Sequence, residues 1–162
     1  MTTKTLKTPY ISIIVPLYNE EQRLRNLSKI YEYFSHAKLN YEVILINDGS
    51  KDKTVNKLNG PSKSLKFTLI TYQKNQGKGF AIKTGMLAAK GEYLLFTDID
   101  LSTPISEFDK FLPYLKKDVV LIGSRKTKGS KLTKRQPYIR EILGKGFTLL
   151  SQKFLNLDIK DR

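Results

Sequence analysis

Residues 91–104 read GEYLLFTDIDLSTP: an apolar run from Tyr93 to Phe96 breaks off into two carboxylates, Asp98 and Asp100, on either side of Ile99. A short apolar run without polar alternation is the pattern of a parallel strand covered on both faces. Carboxylates just beyond the carboxyl end of such a strand lie where open parallel sheets bind ligands, and there they suit a divalent cation that neutralises a phosphorylated substrate. On its own, Asp-x-Asp reads as a solvated turn, so its neighbours must decide.

Working outward, similar runs recur at Tyr10–Val15, Tyr41–Ile46, Phe67–Thr71 and Val119–Ile122, which together with Tyr93–Thr97 predict five strands. Helix-period stretches lie between them. Glu20 to Ser35 puts Leu24, Leu27, Ile30, Tyr31 and Phe34 on one stripe, and Gly79 to Lys90 follows a glycine turn. A further helix is predicted with Thr103 as N-cap and Pro104 at its first position, burying Ile105, Phe108, Leu112 and Leu115, with Pro113 shortening or kinking it. Strand and helix in alternation predict a right-handed, doubly wound α/β fold with a mostly parallel sheet. Three polar clusters then fall at the carboxyl ends of strands, Pro16 to Glu21, Asn47 to Ser50 and Asp98 to Thr103, and converge on one crevice.

The composition bounds the chemistry. A chain of 162 residues with 40% hydrophobic and 27% charged residues is one globular domain. It has no cysteine and a single histidine, His36, which excludes disulfides, thiolate metal sites and histidine-rich clusters. The formal charge of +14 points to a polyanionic partner. From Arg125 to Arg162 there are eleven Lys or Arg against Glu141, Asp158 and Asp161, so the C-terminal quarter is the electropositive region. Met1 to Pro9 is polar and Lys/Thr-rich and reads as a flexible lead-in rather than a signal peptide or anchor. No run reaches bilayer-spanning length, so the chain as given is expected to be soluble or peripheral.

The segments SIIVPLYNEE (Ser12 to Glu21), VILINDGSKDKT (Val43 to Thr54), NQGKGFAIKTGMLAAKGEYLLFTDIDLSTP (Asn75 to Pro104) and GSR (Gly123 to Arg125) resemble family-2 glycosyltransferases. More narrowly, they are similar to the polyprenyl- or dolichyl-phosphate sugar transferases, the glucosyl branch above all. The resemblance implies a GT-A (nucleotide-diphospho-sugar transferase, Rossmann-like) fold with helices on both faces of the sheet. It also implies a nucleotide-sugar donor, UDP-sugar favoured, with Mg²⁺ or Mn²⁺ and inversion at the anomeric carbon. Carried over by position, Pro16, Tyr18 and Glu20 line the base and ribose pocket, Asp48 bonds the base, Asp98 meets the nucleoside side, and Asp100 is the direct metal ligand. Lys78 faces the donor, and Arg125 binds phosphate. The plain readings stand beside these: Asn47-Asp48-Gly49-Ser50 as a turn, Glu20 and Glu21 as acidic residues favouring a helix N-terminus, Lys78 as a solvated lysine.

On the acceptor side, Lys126 to Gln136 reads as a basic active-site loop, and Pro137 to Leu157 as an amphipathic helix that packs on the sheet or lies at a membrane interface. By the resemblance, Arg140 meets the phosphate of a lipid-phosphate acceptor. The implied division is a flexible 1–9, a nucleotide-sugar-binding part over 10–124, and a basic loop with an acceptor helix over 125–162. Asp161-Arg162 looks like the start of a family motif, so truncation within the domain is expected. The implied location is the cytoplasmic face of a membrane, on an anionic surface. Two other functions stay open: transfer to a glycan or cell-envelope polysaccharide, and a non-catalytic basic fragment binding membrane or nucleic acid. For specific nucleic-acid binding there is no aromatic-plus-basic signature or zinc spacing.

Overall fold

The computed structural model describes residues 8–60 and 65–123. The chain divides into two compact units, Met1–Leu115 and Lys116–Arg162.

Among its described residues, the first unit holds a four-stranded, wholly parallel sheet. Its strands are β1 (Ile11–Leu17), β2 (Tyr41–Asp48), β3 (Thr68–Tyr72) and β4 (Tyr93–Phe96), in the order β3-β2-β1-β4. The register sets Ile11 against Tyr41 and Tyr93, and Ile14 against Ile44 and Phe96. Ahead of β1, the carbonyls of Thr8 and Pro9 accept hydrogen bonds from Asn40 Nδ2 and Glu92 N.

The period of two along the strands divides the core. Ile11, Ile13, Val15 and Leu17 point to one face with Val43 and Leu45, where α1 (Leu27–His36) contributes Leu27, Ile30 and Phe34 and α2 (Thr54–Asn59) contributes Leu58. Ile14, Ile44 and Ile46 point to the other face, where α3 (Lys78–Ala88) lays Ala81 on them. The strand order explains this placement. The chain steps β1, β2, β3 in one direction with its helices on one face, then returns past β1 to β4, and a right-handed return crosses on the opposite face. The reversal lies between β1 and β4, which makes their carboxyl ends the topological switch point.

The predicted fold class, four of the five strands and both-face helix cover are borne out. Other expectations are corrected. The first helix does not start at Glu20: residues 21–23 form a turn and Leu24–Asn26 a 3₁₀ turn before α1 begins at Leu27. Instead of a helix capped by Thr103, two 3₁₀ turns form, Ile105–Lys110 and Leu112–Tyr114. Pro104 takes the N-cap position with no side-chain cap, and Pro113, lacking an N–H, ends the continuity. Of the four apolar residues expected to be buried there, Phe108 is buried, Ile105 and Leu115 are half-buried, and Leu112 is exposed.

In the second unit, Val119–Ile122 forms no strand. The stretch follows Asp118 in left-handed conformation (φ 61°), and Val120 is 85% exposed. A strand is completed by its ladder partner, and none of the described residues pairs with this one. Arg125 and Arg140, the basic loop and the acceptor helix lie outside the described residues.

Candidate functional site

The acidic turn is built around its middle residue. Ile99 is 2% exposed and belongs to the core beneath β1 and α1, while Asp98 and Asp100 are exposed. The chain reverses at once: Leu101 takes a left-handed conformation (φ 48°) and its N–H donates to the Asp98 carbonyl at 3.2 Å. Asn26 Nδ2 donates to the Ile99 carbonyl at 2.9 Å. One apolar anchor therefore fixes a turn that turns two carboxylates outward at the switch point.

The two carboxylates have different surroundings. Asp98 is in an ion pair with Lys78, whose Nζ is 2.7 Å from Oδ1 and 2.8 Å from Oδ2 and lies 5.6 Å from the centre of the Phe96 ring. Lys78 is the first residue of α3, so the β3–α3 loop delivers a cation to the acidic turn. Asp100 Oδ1 accepts from Ser102 N at 2.9 Å. That bond, the Ser102 hydroxyl and the positive charges of Arg23 and Lys78 hold the Asp100 carboxyl below its ordinary range against the opposing effect of partial burial. Asp100 is thus anionic at neutral pH.

Asp48, at the end of β2, is 2% exposed. Its Oδ1 accepts from Gln76 N at 2.7 Å and its Oδ2 from Gly77 N at 2.8 Å, while its carbonyl accepts from Asn75 Nδ2. The residue expected to bond a base therefore clamps the loop that leads into α3. Each carboxylate oxygen keeps a second acceptor direction. Gly49 is required beside it: its φ is 69°, and a Cβ there would lie 2.7 Å from Asn75 N.

The loop after β1 is tied to the loop after β2. Asn19 N donates to Ser50 Oγ and Asn19 Oδ1 accepts from Lys51 N; Glu20 N donates to Thr54 Oγ1, and Glu21 N to Asp52 Oδ2. Burial pushes the Asp52 carboxyl up, but the bonds from the Thr54 hydroxyl, Thr54 N, Glu21 N and its own N–H outweigh it, and the net direction is downward. Within this frame Pro16 is half-buried in β1, and Tyr18 is 43% exposed beyond it. Glu20 bonds Arg23 at 2.7 Å rather than pointing freely into the crevice.

The structure brings together Pro16, Tyr18, Glu20, Asp48, Lys78, Asp98 and Asp100 at one sheet end. Sequence reading missed Arg23, Asn26, Asp52 and Thr54. Asp52 had a signal, since an Asp two residues ahead of a helix start bonds the N–H at that start, as it does at Thr54. Arg23 and Asn26 had none.

Among the described residues, no three metal-ligating side chains form a cluster. Mg²⁺ and Mn²⁺ need no such cluster where one or two carboxylates, water and substrate phosphate complete the shell. The anionic, exposed Asp100 fits this donor set, whereas Asp98 is engaged by Lys78.

A parallel α/β sheet with an acidic turn at its switch point defines a ligand-binding class of fold. The chain belongs to glycosyl transferase family 2, whose profile matches residues 12–162. The dolichyl-phosphate beta-glucosyltransferase of Drosophila melanogaster is 36% identical over 167 residues, covering 93% of this chain and 51% of that protein. Among solved structures, the mannosyltransferase PcManGT from Pyrobaculum calidifontis, in complex with GDP-Man and Mn²⁺, superposes with a TM-score of 0.50 at 30% identity, over 63% of this chain and 30% of its own. S. aureus TarS in complex with UDP superposes with a TM-score of 0.55 at 25% identity, over 76% of this chain and 38% of its own. The chain spans about half the length of the curated relatives it matches.

Proposed function

We propose that this chain carries the donor half of an inverting glycosyltransferase that moves a hexose, glucose in the favoured reading, from a UDP-sugar to polyprenyl or dolichyl phosphate. The observation that carries this reading is the acidic turn at the switch point, with Asp100 anionic and exposed and Asp98 paired to a lysine at the start of α3. The Drosophila relative's name supplies the sugar and the acceptor class. The GDP-Man, UDP and Mn²⁺ in the related structures support a nucleotide donor and a divalent cation.

In this reading Pro16 and Tyr18 wall the nucleobase and ribose pocket, and Glu20, held by Arg23, closes its rim. Asp48 fixes the Gln76–Gly77 backbone beside the base and offers its remaining acceptor directions to a base N–H. Asp98 faces the nucleoside, with Lys78 between it and the donor phosphates. Asp100 would hold Mg²⁺ or Mn²⁺, which when bound offsets the charge of the departing nucleoside diphosphate. By sequence position alone, Arg125 joins at the donor phosphates and Arg140 at the acceptor phosphate.

The acceptor needs little activation. A phosphomonoester has its second pKa near ~6, so a lipid phosphate is largely dianionic at neutral pH and attacks without a strong general base. The protein's task is then positioning and charge compensation. The described residues contain no helix long and apolar enough to cross a membrane, and the basic C-terminal quarter supports peripheral attachment at a cytoplasmic, anionic membrane face.

The test is ligand-dependent melting. UDP-glucose with Mn²⁺ at ~100 times its Kd is expected to raise Tm by roughly 5 °C or more. Asp100→Asn removes the Mn²⁺-dependent part. A wild-type melting curve indifferent to UDP-glucose and Mn²⁺ overturns the donor reading. Donor binding without glucose transfer to polyprenyl phosphate is the result expected of a chain that lacks a complete acceptor site, and transfer by this chain would show that site to be complete.

A further inference from the structure

Asn26 ends the 3₁₀ turn Leu24–Asn26 and occupies the N-cap position of α1. Asparagine is among the best N-cap residues where its backbone is extended. Here the 3₁₀ turn leaves its backbone helical (φ −73°, ψ −14°) and the side chain makes no cap bond. It reaches instead across 73 residues of sequence and donates Nδ2–H to the Ile99 carbonyl at 2.9 Å, in a part-buried setting. A carbonyl partner fixes which end of the amide points there, because only the NH₂ end donates.

That bond lands at the centre of the acidic turn. Two other bonds of the turn are local, from Leu101 N to the Asp98 carbonyl and from Ser102 N to Asp100 Oδ1. On its N-terminal side, Thr97 N donates to the Ile14 carbonyl and Lys78 pairs with the Asp98 side chain, but neither of these holds the 99–100 peptide. Ile99 anchors it below through its side chain, and Asn26 anchors it through its carbonyl. Rotation of the 99–100 peptide would swing the Asp100 carboxylate, and the Asn26 bond resists that rotation.

We propose that Asn26 is a positioning residue for the divalent-cation site, setting where Asp100 presents its carboxylate. This rests on the assignment of the cation to Asp100. Outer partners that orient a metal ligand typically change metal affinity by about 10- to 100-fold when removed.

The experiment titrates the full chain with Mn²⁺ at a fixed UDP concentration, against a protein-free UDP control, and follows the free Mn²⁺ signal relative to that control by electron paramagnetic resonance, with near-UV circular dichroism and melting curves in parallel. Asn26→Ala is expected to weaken Mn²⁺ binding by about tenfold. Asn26→Asp, of nearly the same shape, loses the donor and adds a negative charge near the site. Positioning predicts weaker Mn²⁺ binding for it as well, and it covers the case in which the alanine variant does not fold. Tighter binding by Asn26→Asp overturns the proposal, because charge alone would then govern affinity. A lower Tm with unchanged Mn²⁺ affinity overturns it too, by showing an ordinary structural bond. Wild-type protein that leaves the free Mn²⁺ signal unchanged removes the cation assignment itself. Wild-type binding with unaltered variants removes only the role of Asn26.

Discussion

Asp48 holds two backbone N–H groups with one buried carboxylate, and that arrangement makes a direct prediction. Asp48→Ala leaves the Gln76 and Gly77 amides without their acceptor, at a cost of about 2–4 kcal/mol in urea unfolding, since bonds to charged groups contribute about 1.5–3 kcal/mol each and water recovers part of the loss. Asp52 and Asp100 make a prediction in pH. Both carboxyls sit below their ordinary range in the folded state. Each therefore favours folding above its unfolded pKa of about 3.9, and the contribution is lost as pH falls through the lower folded value. The Tm of Asp52→Asn should be lower than wild type at pH 7, and the gap should close as pH falls toward about 2. A constant gap would mean that the Thr54 and Glu21 bonds do not depend on the charge of Asp52. The acidic character of positions 48, 98 and 100 was legible in the sequence. The partners of Asp48 and Asp98 were not, because each comes from a segment that no local pattern links to them, whereas Asp100 bonds Ser102 two residues on.

Among the elements, β1, β2 and the Leu27, Ile30, Phe34 face of α1 formed where apolar periodicity placed them, since a fully covered strand and a one-sided helix have distinct periods. The short pieces escaped: α2 is six residues long and carries two buried side chains, too few to show a period. Residues 105–114 carried a helical stripe but became two 3₁₀ turns, because Pro113 interrupts the backbone ladder. The α3–sheet contact is set by a glycine. A Cβ on Gly85 would stand 2.4 Å from Ile14 Cγ2 and 2.7 Å from Ile46 Cδ1. Gly85→Ala should destabilise by about 1–3 kcal/mol through overpacking, despite the better helix propensity of alanine. Urea unfolding is the measurement. Ile46→Val in the same chain removes the Cδ1 that the new Cβ would meet and should recover part of the loss, a coupling that two independent sites would not show.

For the whole molecule the outstanding quantity is charge. A net +14, concentrated after Arg125, predicts binding to vesicles containing anionic lipid and little to neutral ones. Sedimentation should show affinity falling by roughly tenfold or more between about 50 and 300 mM NaCl as the Debye length shortens. Equal binding to neutral vesicles would assign the interaction to apolar insertion instead. By itself the sequence determined the α/β class, the order of the motifs, the family and the position of Asp98 and Asp100 beyond a strand, since each is written in local periodicity or in a contiguous motif. Only the tertiary structure decided that Val119–Ile122 is not a strand, that Lys78 pairs with Asp98 across 20 residues, that Asp48 clamps a loop 28 residues on, and that Asn26 holds Ile99 across 73. The physical reason is the same for all four. Pairing depends on which segments the strand order β3-β2-β1-β4 brings side by side, and a strand or a buried polar group is completed by its partner rather than by its own sequence.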